Sequence, residues 1–283
     1  MRVGRNISLF QIETHAALWL LSGAVLCLIM ADISYVDLES VQELLRSKEI
    51  RYAIRLTLLT SLLTTVLAVL VAVPSAYALS RFPFKGVMFL DILVDLLMVV
   101  PVLVIGVSLL VFFRVGSDLA ASRFGLPQFL GNRVAEAGNF FIYQRPGIVL
   151  VQFFCSVPFA VRTIKAAFDQ IDPRTERIAM TLGCTPAQAF FRATLPQAKP
   201  GIFAGAILAW ARAFGLFGPV SIVAGAVRGK TEVLSTSIYL EISIGRLEVA
   251  LAISLLMMAM AFAALLILRL GVKSTVFGMR DRA

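Results

Sequence analysis

Few residues in this chain could do chemistry. The single His15 has no second histidine with which to share a metal or relay a proton. Cys27, Cys155 and Cys184 are odd in number and follow no motif spacing, so neither a disulfide framework nor a thiolate metal site is encoded. No G-x-x-x-x-G-K-S/T run is present, whose backbone amides and lysine would hold nucleotide phosphates. Catalytic residues and metal ligands are both expected to be none. What remains are charges set among apolar residues. Asp91 and Asp95 stand four apart and share a helix face. Arg212 lies about one-third of the way into another apolar segment, where an ionised side chain is costly and faces either the bundle interior or a water-filled path. A cation lining such a path favours an anion. Two other roles stay open for Arg212: pairing with Asp91 or Asp95, or snorkelling to an interface. Gly215 and Gly218 follow it and could loosen the helix, so Arg212, Gly215 and Gly218 are the candidate path residues.

The elements that carry these charges are membrane helices. Of 283 residues, 59% are hydrophobic and 15% charged, with mean hydropathy +0.89. Soluble domains are nearer half apolar and a quarter charged. A crossing helix needs about 20 apolar residues, and such segments fall at about 16–35, 55–79, 87–113, 147–165, 201–226 and 248–270. The expected fold is therefore an all-α integral membrane protein of about six spans, the fourth being the weakest. No stretch outside the spans is long enough for a separate enzyme domain. Arg2 and Arg5 precede the apolar run from Ala16 to Met30, but no small-x-small cleavage site follows, so a retained first helix is expected.

The net charge of +9 sits in short loops between apolar runs, where the positive-inside effect explains it without nucleic acid. With a cytoplasmic N-terminus, the inner segments carry a clear excess of basic over acidic residues, whereas the outer ones carry 11 basic against 10 acidic. Both termini are thus expected in the cytoplasm. Pro74, Pro101 and Pro158 are expected to kink their helices, and Gly201 with Gly205 to allow close helix packing. Phe140, Phe141 and Tyr143 end the outer 114–146 loop, either as an interfacial belt or as a surface for an external partner.

The most informative stretch is the loop 166–200, which is rich in helix punctuation. Asp172-Pro173 and Thr185-Pro186 each read as an N-cap followed by proline at the first helical position. Gly183 reads as a left-handed stop between two short helices, and Leu195-Pro196 as the end of the second. Pro200-Gly201 would then open the next span. Ile178, Ala179, Leu182, Ala187, Phe190 and Phe191 recur at helical spacing and form one apolar face, rimmed by Arg177 and Arg192. That face either packs on the protein's own helix ends or enters a cytoplasmic partner as a protruding knob.

Residues Glu176–Pro196, ERIAMTLGCTPAQAFFRATLP, resemble the EAA loop of permeases from binding-protein-dependent (type I) ABC importers. In that pattern Gly183, Leu195 and Pro196 keep the family spacing and Ala179 matches the second alanine. Arg177 replaces the usual acid, Ile178 the first alanine, and Glu176 stands one place earlier. The resemblance continues through 200–270 and back to about residue 51. It implies a five-helix permease core at 51–270 that includes the coupling loop, an N-terminal tail with first helix and outer loop at 1–50, and a cytoplasmic tail at 271–283. It also implies a coupling site of Glu176, Arg177, Ile178, Ala179, Gly183, Leu195 and Pro196, inserted into one subunit of an ABC ATPase dimer. Further implied partners are a second permease subunit, identical or similar, an extracytoplasmic substrate-binding protein, and the lipid of the cell inner membrane. No cofactor is expected in this chain, since ATP and Mg belong to the ATPase subunits.

The segments ARAFGLFGPVSIVAG and RGKTEVLSTSIYLEI are most similar to permeases for tetrahedral oxyanions: sulfate, molybdate and tungstate. Thr231, Leu234, Ile238 and Tyr239 keep that group's spacing, whereas Leu216 replaces its acid. Permeases for ferric iron, thiamine or polyamines share the scaffold and are the alternatives. A stand-alone secondary transporter, the rival from another class, would favour acid or histidine relays. The last three apolar segments contain no Asp, Glu or His in their cores.

Overall fold

The computed structural model describes residues 9–122 and 128–280, and all regular structure within them is helical. Arg2, Arg5 and the last three residues lie outside this range. The helices are α1 (Leu9–Tyr35), α2 (Leu38–Arg46), α3 (Lys48–Arg81), α4 (Val87–Val99), α5 (Val102–Ser122), α6 (Gln128–Phe141), α7 (Arg145–Asp169), α8 (Arg174–Thr181) and α9 (Pro186–Ala189). A π-helical segment, Phe190–Thr194, then leads into α10 (Leu195–Phe214), followed by α11 (Gly218–Val223), α12 (Leu234–Ser243) and α13 (Leu247–Arg280).

Six uninterrupted spans are not what forms. Among the described residues, four helices (α1, α3, α7 and α13) are long and apolar enough to cross a membrane, or five spans if a bent pair counts as one. That pair is α4 with α5, bent by 110° where Val100 and Pro101 interrupt the expected third span. Proline cannot donate its amide and biases the preceding residue away from the helical region, and Val100 is extended (φ −60°, ψ 131°). Pro74 and Pro158, by contrast, sit inside continuous helices. The expected fifth span also breaks. Lys199 and Arg212 dilute the apolarity of α10, and Gly215–Phe217 separates it from α11. Helix α13 runs on through the segment expected as the C-terminal tail, as far as Arg280.

The segment with the weakest apolar signal becomes the centre of the bundle. In its most apolar window α7 is 61% buried, against 44% for α3, 17% for α13 and none for α1. A helix surrounded by protein has no need of a lipid-facing hydrocarbon coat, so its composition can be mixed. Helices α3, α7 and α10 pack around Ala68, Ala72 and Ala76, Val157, Ala160 and Ile164, and Ala198 and Ala209. Small residues set the close approach. A Cβ on Gly205 would lie 2.8 Å from Ile164 Cγ1 and 3.3 Å from the Ala160 carbonyl oxygen, as the spacing of Gly201 and Gly205 led one to expect.

Buried polar groups lock this trio together. Gln152 on α7, 1% exposed, donates from Nε2 to the Ala213 carbonyl (3.0 Å) and accepts from Thr64 Oγ1 on α3 (3.0 Å). Toward one end of the bundle, Arg162 on α7 clamps α4. Its Nη1 is 2.7 Å from Asp91 Oδ1, its Nε 2.6 Å from Asp95 Oδ1, and its Nη2 2.9 Å from the Asp91 carbonyl. The shared face of Asp91 and Asp95 is thus used, but for Arg162 rather than for Arg212.

Candidate functional site

The loop after α7 folds around local capping. Asp172 Oδ1 accepts from the Arg174 amide (2.8 Å), so α8 begins one residue past Pro173. Gly183 ends the turn with φ +91°, a conformation costly for residues with a side chain. Thr185 and Gln188 form a reciprocal capping box, with Thr185 Oγ1 accepting from the Gln188 amide (3.3 Å) and Gln188 Oε1 from the Thr185 amide (3.0 Å).

Leu195-Pro196 does not end the second helix as expected. The chain widens into the π segment, in which the Leu195 amide donates to the Phe190 carbonyl five residues back. A proline ring clashes with the carbonyl four residues earlier. The wider turn places Pro196 in the first turn of α10, and the helix runs on past Pro200 to Phe214. Two expected boundaries therefore shift: α7 extends to Asp169, and the next long helix begins at Leu195 rather than at Pro200-Gly201.

The expected apolar face divides in two. Phe190 turns inward, its ring centroid 4.5 Å from that of Tyr77 and 6.2 Å from that of Phe168, and Ala189 is buried. Ala179 is half-buried. Ile178 (59% exposed), Leu182 (82%) and Phe191 (63%) remain uncovered, joined by Met180. Arg177 and Arg192 are exposed, and among the described residues neither has a carboxylate within 4.0 Å. The loop thus presents an apolar tip with two free cations. Leu195 and Pro196 stand behind the tip, half-buried, and Leu195 helps line a groove between α3 and α10.

Glu176 has a different place. Its Oε1 accepts from Arg81 Nε (3.2 Å) and Thr194 Oγ1 (2.8 Å), and its Oε2 from Tyr77 Oη (2.9 Å). Arg81 Nη2 also donates to the Ile171 carbonyl (2.6 Å). The side chains of Arg81 and Glu176 are only 9% and 14% exposed. Sequence reasoning chose Glu176 but missed Tyr77, Arg81 and Thr194. A faint signal was present, because Tyr77 and Arg81 are four apart at the end of α3 and so share a face.

Of the candidate path residues, Arg212 is exposed on the last turn of α10, its guanidinium carbon 5.1 Å from the centroid of Phe159. Among the described residues no carboxylate lies within 4.0 Å of it. Gly215 caps α10 and is exposed. Gly218 is a packing residue, where a Cβ would lie 2.7 Å from Leu103 Cδ2 on α5. Behind the α10–α11 break, Ser235 Oγ donates to the Leu216 carbonyl (2.9 Å) and holds α12 against it.

At the opposite end from the loop, the Tyr143 amide donates to the Val223 carbonyl (2.9 Å), and Tyr143 itself adopts φ 56°. The stretch before it, expected as an outer loop, contains helix α6, while residues 123–127 lie outside the described range. Phe140 is exposed and Phe141 half-buried against Phe113. At this end Tyr52 Oη and Arg145 Nε both donate to the Lys230 carbonyl, and the Leu234 amide donates to Thr57 Oγ1 (2.9 Å).

Residues 64–275 match the family described as binding-protein-dependent transport system inner membrane component. A sulfate transport system permease protein, CysT of Salmonella typhimurium, is 29% identical over 89% of this chain and 86% of its own length. The molybdenum transport system permease protein ModB of Mycobacterium tuberculosis is 33% identical over 85% and 86%. The molybdate/tungstate permease WtpB of Pyrococcus furiosus is 35% identical over 66% of each. Among solved structures, a chain of a bacterial ABC transporter for the acidic polysaccharide alginate superposes with a TM-score of 0.72, at 18% identity, over 94% of this chain and 95% of that one.

Proposed function

The chain belongs to the inner membrane components of binding-protein-dependent transport systems, and on that basis we propose that it carries a tetrahedral oxyanion (sulfate, molybdate or tungstate) across the membrane. It is a membrane-embedded ABC importer permease, a transport component rather than an enzyme. The observation that carries the substrate reading is Arg212. An Arg at the centre of a membrane helix costs about 2.5–3.5 kcal/mol on insertion scales; this one is exposed on the last turn of α10, beside the helix break, with its guanidinium carbon 5.1 Å from the centroid of the Phe159 ring. An unneutralised cation at such a point attracts an anion and repels ferric iron, thiamine and polyamines. Sulfate, molybdenum and molybdate/tungstate permeases are among the relatives, which supports the same class.

In this mechanism a binding protein delivers the anion to the outer face. ATP and Mg bind a pair of ATPase subunits, which receive the exposed Ile178–Leu182 tip together with Arg177 and Arg192. A second permease subunit completes the path, with Arg212, Gly215 and the α10–α11 break facing it. Both termini lie in the cytoplasm in this reading, which the excess of basic residues in the loop-side segments supports. Closure of the ATPase pair moves the loop, and the bundle switches access because the loop contacts differ between the two states.

The test is ATP hydrolysis in liposomes by the complete transporter, with binding protein loaded with sulfate, molybdate, tungstate, ferric iron or a polyamine. Stimulation by an oxyanion, lost in Gly183→Arg and reduced in Arg212→Gln, is the expected result. Stimulation by ferric iron or a polyamine alone would overturn the oxyanion reading and leave the importer intact.

A further inference from the structure

Among the described residues, Glu176 is the only side chain of α8 that hydrogen-bonds to anything beyond the loop's own local turns. Its partners are not chosen for docking. Two of the three donors, Tyr77 and Arg81, belong to α3, a helix that is distant in sequence and central in the bundle. The third, Thr194, is fully buried at the end of the π segment. Charge-assisted hydrogen bonds from a guanidinium are stronger than neutral ones, and shelter from water stiffens them further. Tyr77 is wedged by its ring as well, with centroids 5.5 Å from Phe168 on α7 and 4.5 Å from Phe190. Opposite this anchored carboxylate, Ile178 and Leu182 point outward uncovered.

Helix α3 then runs unbroken for 34 residues, from Arg81 back to Lys48, or about 50 Å at 1.5 Å per residue. Its far end holds the opposite face of the protein. Tyr52 Oη donates to the Lys230 carbonyl (2.7 Å), and Thr57 Oγ1 accepts from the Leu234 amide (2.9 Å). These two bonds hold the second half of the loop between α11 and α12 and the start of α12.

We propose that Tyr77, Arg81 and Glu176 form a strut that makes α8 and α3 one rigid body, so that displacement of the loop by the ATPase is delivered along α3 to the 225–233 loop on the outer face. Tyr77, Arg81 and Thr194 are positioning residues acting through Glu176. The inference rests on the importer reading, because it needs a partner that moves the loop. A contiguous network alone does not demonstrate coupling, so the test must detect motion.

The transporter is reconstituted with Cys27→Ser, Cys155→Ala and Cys184→Ser, and nitroxide labels are placed at Arg174→Cys, exposed at the start of α8 and away from the docking tip, and at Leu62→Cys on the exposed side of α3. The distance between them is measured by pulsed electron resonance with and without ATP, alongside transport per ATP hydrolysed. The expected result is a distance independent of nucleotide in the parent. In Tyr77→Phe and Glu176→Gln it becomes nucleotide-dependent, while transport per ATP falls about tenfold, within the range typical of site-to-site coupling. Co-purification of the ATPase stays at the parent level in Tyr77→Phe, which lies on α3 outside the docking surface. A parent distance that changes with ATP, or variants that keep full transport per ATP, overturns the strut while leaving the importer reading standing. Failure of the parent chain to bind any ATPase overturns the importer reading itself.

Discussion

At the loop end of the bundle a half-buried carboxylate, Glu176, accepts three hydrogen bonds from three side chains. At the far end two carboxylates are buried more deeply and served less well. Glu232 is 1% exposed, and only one of its oxygens has a partner, Ser237 Oγ at 2.9 Å. Glu241 is 4% exposed; Arg228 bonds one oxygen at 2.7 Å, while the other faces Arg246 Nη1 at 3.7 Å, too far for a hydrogen bond. Arg246 is drawn away by a short contact with Glu43. A carboxylate with its lone pairs filled can stay ionised under protein and carry load. One with an empty lone pair is costly as an anion and cheaper as an acid. The loop end gives both oxygens of its carboxylate a donor, whereas the far end leaves Oε2 of Glu232 and Oε2 of Glu241 without a hydrogen bond.

The contrast can be broken most forcefully at the loop end. Arg162→Ala leaves Asp91 and Asp95 facing each other without their cation. The groups are 24%, 35% and 54% exposed, so the full cost of a broken buried pair is reduced by solvent to about 2–3 kcal/mol. A drop of that size in thermal stability in detergent is expected, larger than for any exposed ion pair such as Arg133–Glu136. Midway along the bundle, Gln152→Leu frees Thr64 and the Ala213 carbonyl at once and is expected to cost about 2 kcal/mol, read from the same melting curve.

At the far end the sign reverses. Burial raises the pKa of Glu232 above its ordinary 4.5, an effect only partly offset by Ser237, Arg228 and the Gly229 amide, and reinforced by Glu241. The folded chain therefore holds this proton more tightly than the unfolded one. Its stabilisation is complete below pH 4.5 and is lost as pH rises through the raised value. Glu232→Gln is expected to raise stability at neutral pH and to flatten that pH dependence; a loss of stability at neutral pH would show that the ionised form is wanted. The smallest stability effect belongs to Ile178→Ser on the uncovered tip, within about 0.5 kcal/mol. Its expected consequence is loss of ATPase co-purification, so stability and assembly separate at this position.

The membrane character and the loop architecture were legible in the sequence, and their legibility has a common cause. Apolar runs and caps are local, so Thr185-Pro186 and Gly183 announced their conformations without help from the rest of the chain. What failed was set at a distance. The break at Pro101 was expected only as a kink, because nothing nearby reveals that Arg162 will pull Asp91 and Asp95 toward α7. The weak apolar signal of α7 was correctly seen but could not announce centrality, since burial by protein and poor membrane affinity look alike in composition. Glu176 was picked out by its motif, but its partners on α3 are 95 and 99 residues away. The π segment escaped notice because Leu195-Pro196 ordinarily stops a helix, and only the widened turn lets it continue.

The 110° bend between α4 and α5 also bears on how the chain is made. As it leaves the ribosome, residues 87–113 form a mostly apolar stretch, interrupted by Asp91, Asp95 and Pro101 yet long enough to enter the bilayer as one span. The side chains that hold it bent are not yet synthesised. Arg162, which grips α4, follows about fifty residues later, and Pro219 and Gly218, against which Gly106 and Leu103 of α5 lie, come more than a hundred residues later. The insertion machinery therefore receives a different shape from the one in the finished protein. The bend is therefore expected to be completed within the membrane after most of the chain has arrived, so that Arg162→Ala leaves nascent insertion untouched while slowing the acquisition of protease resistance that follows it.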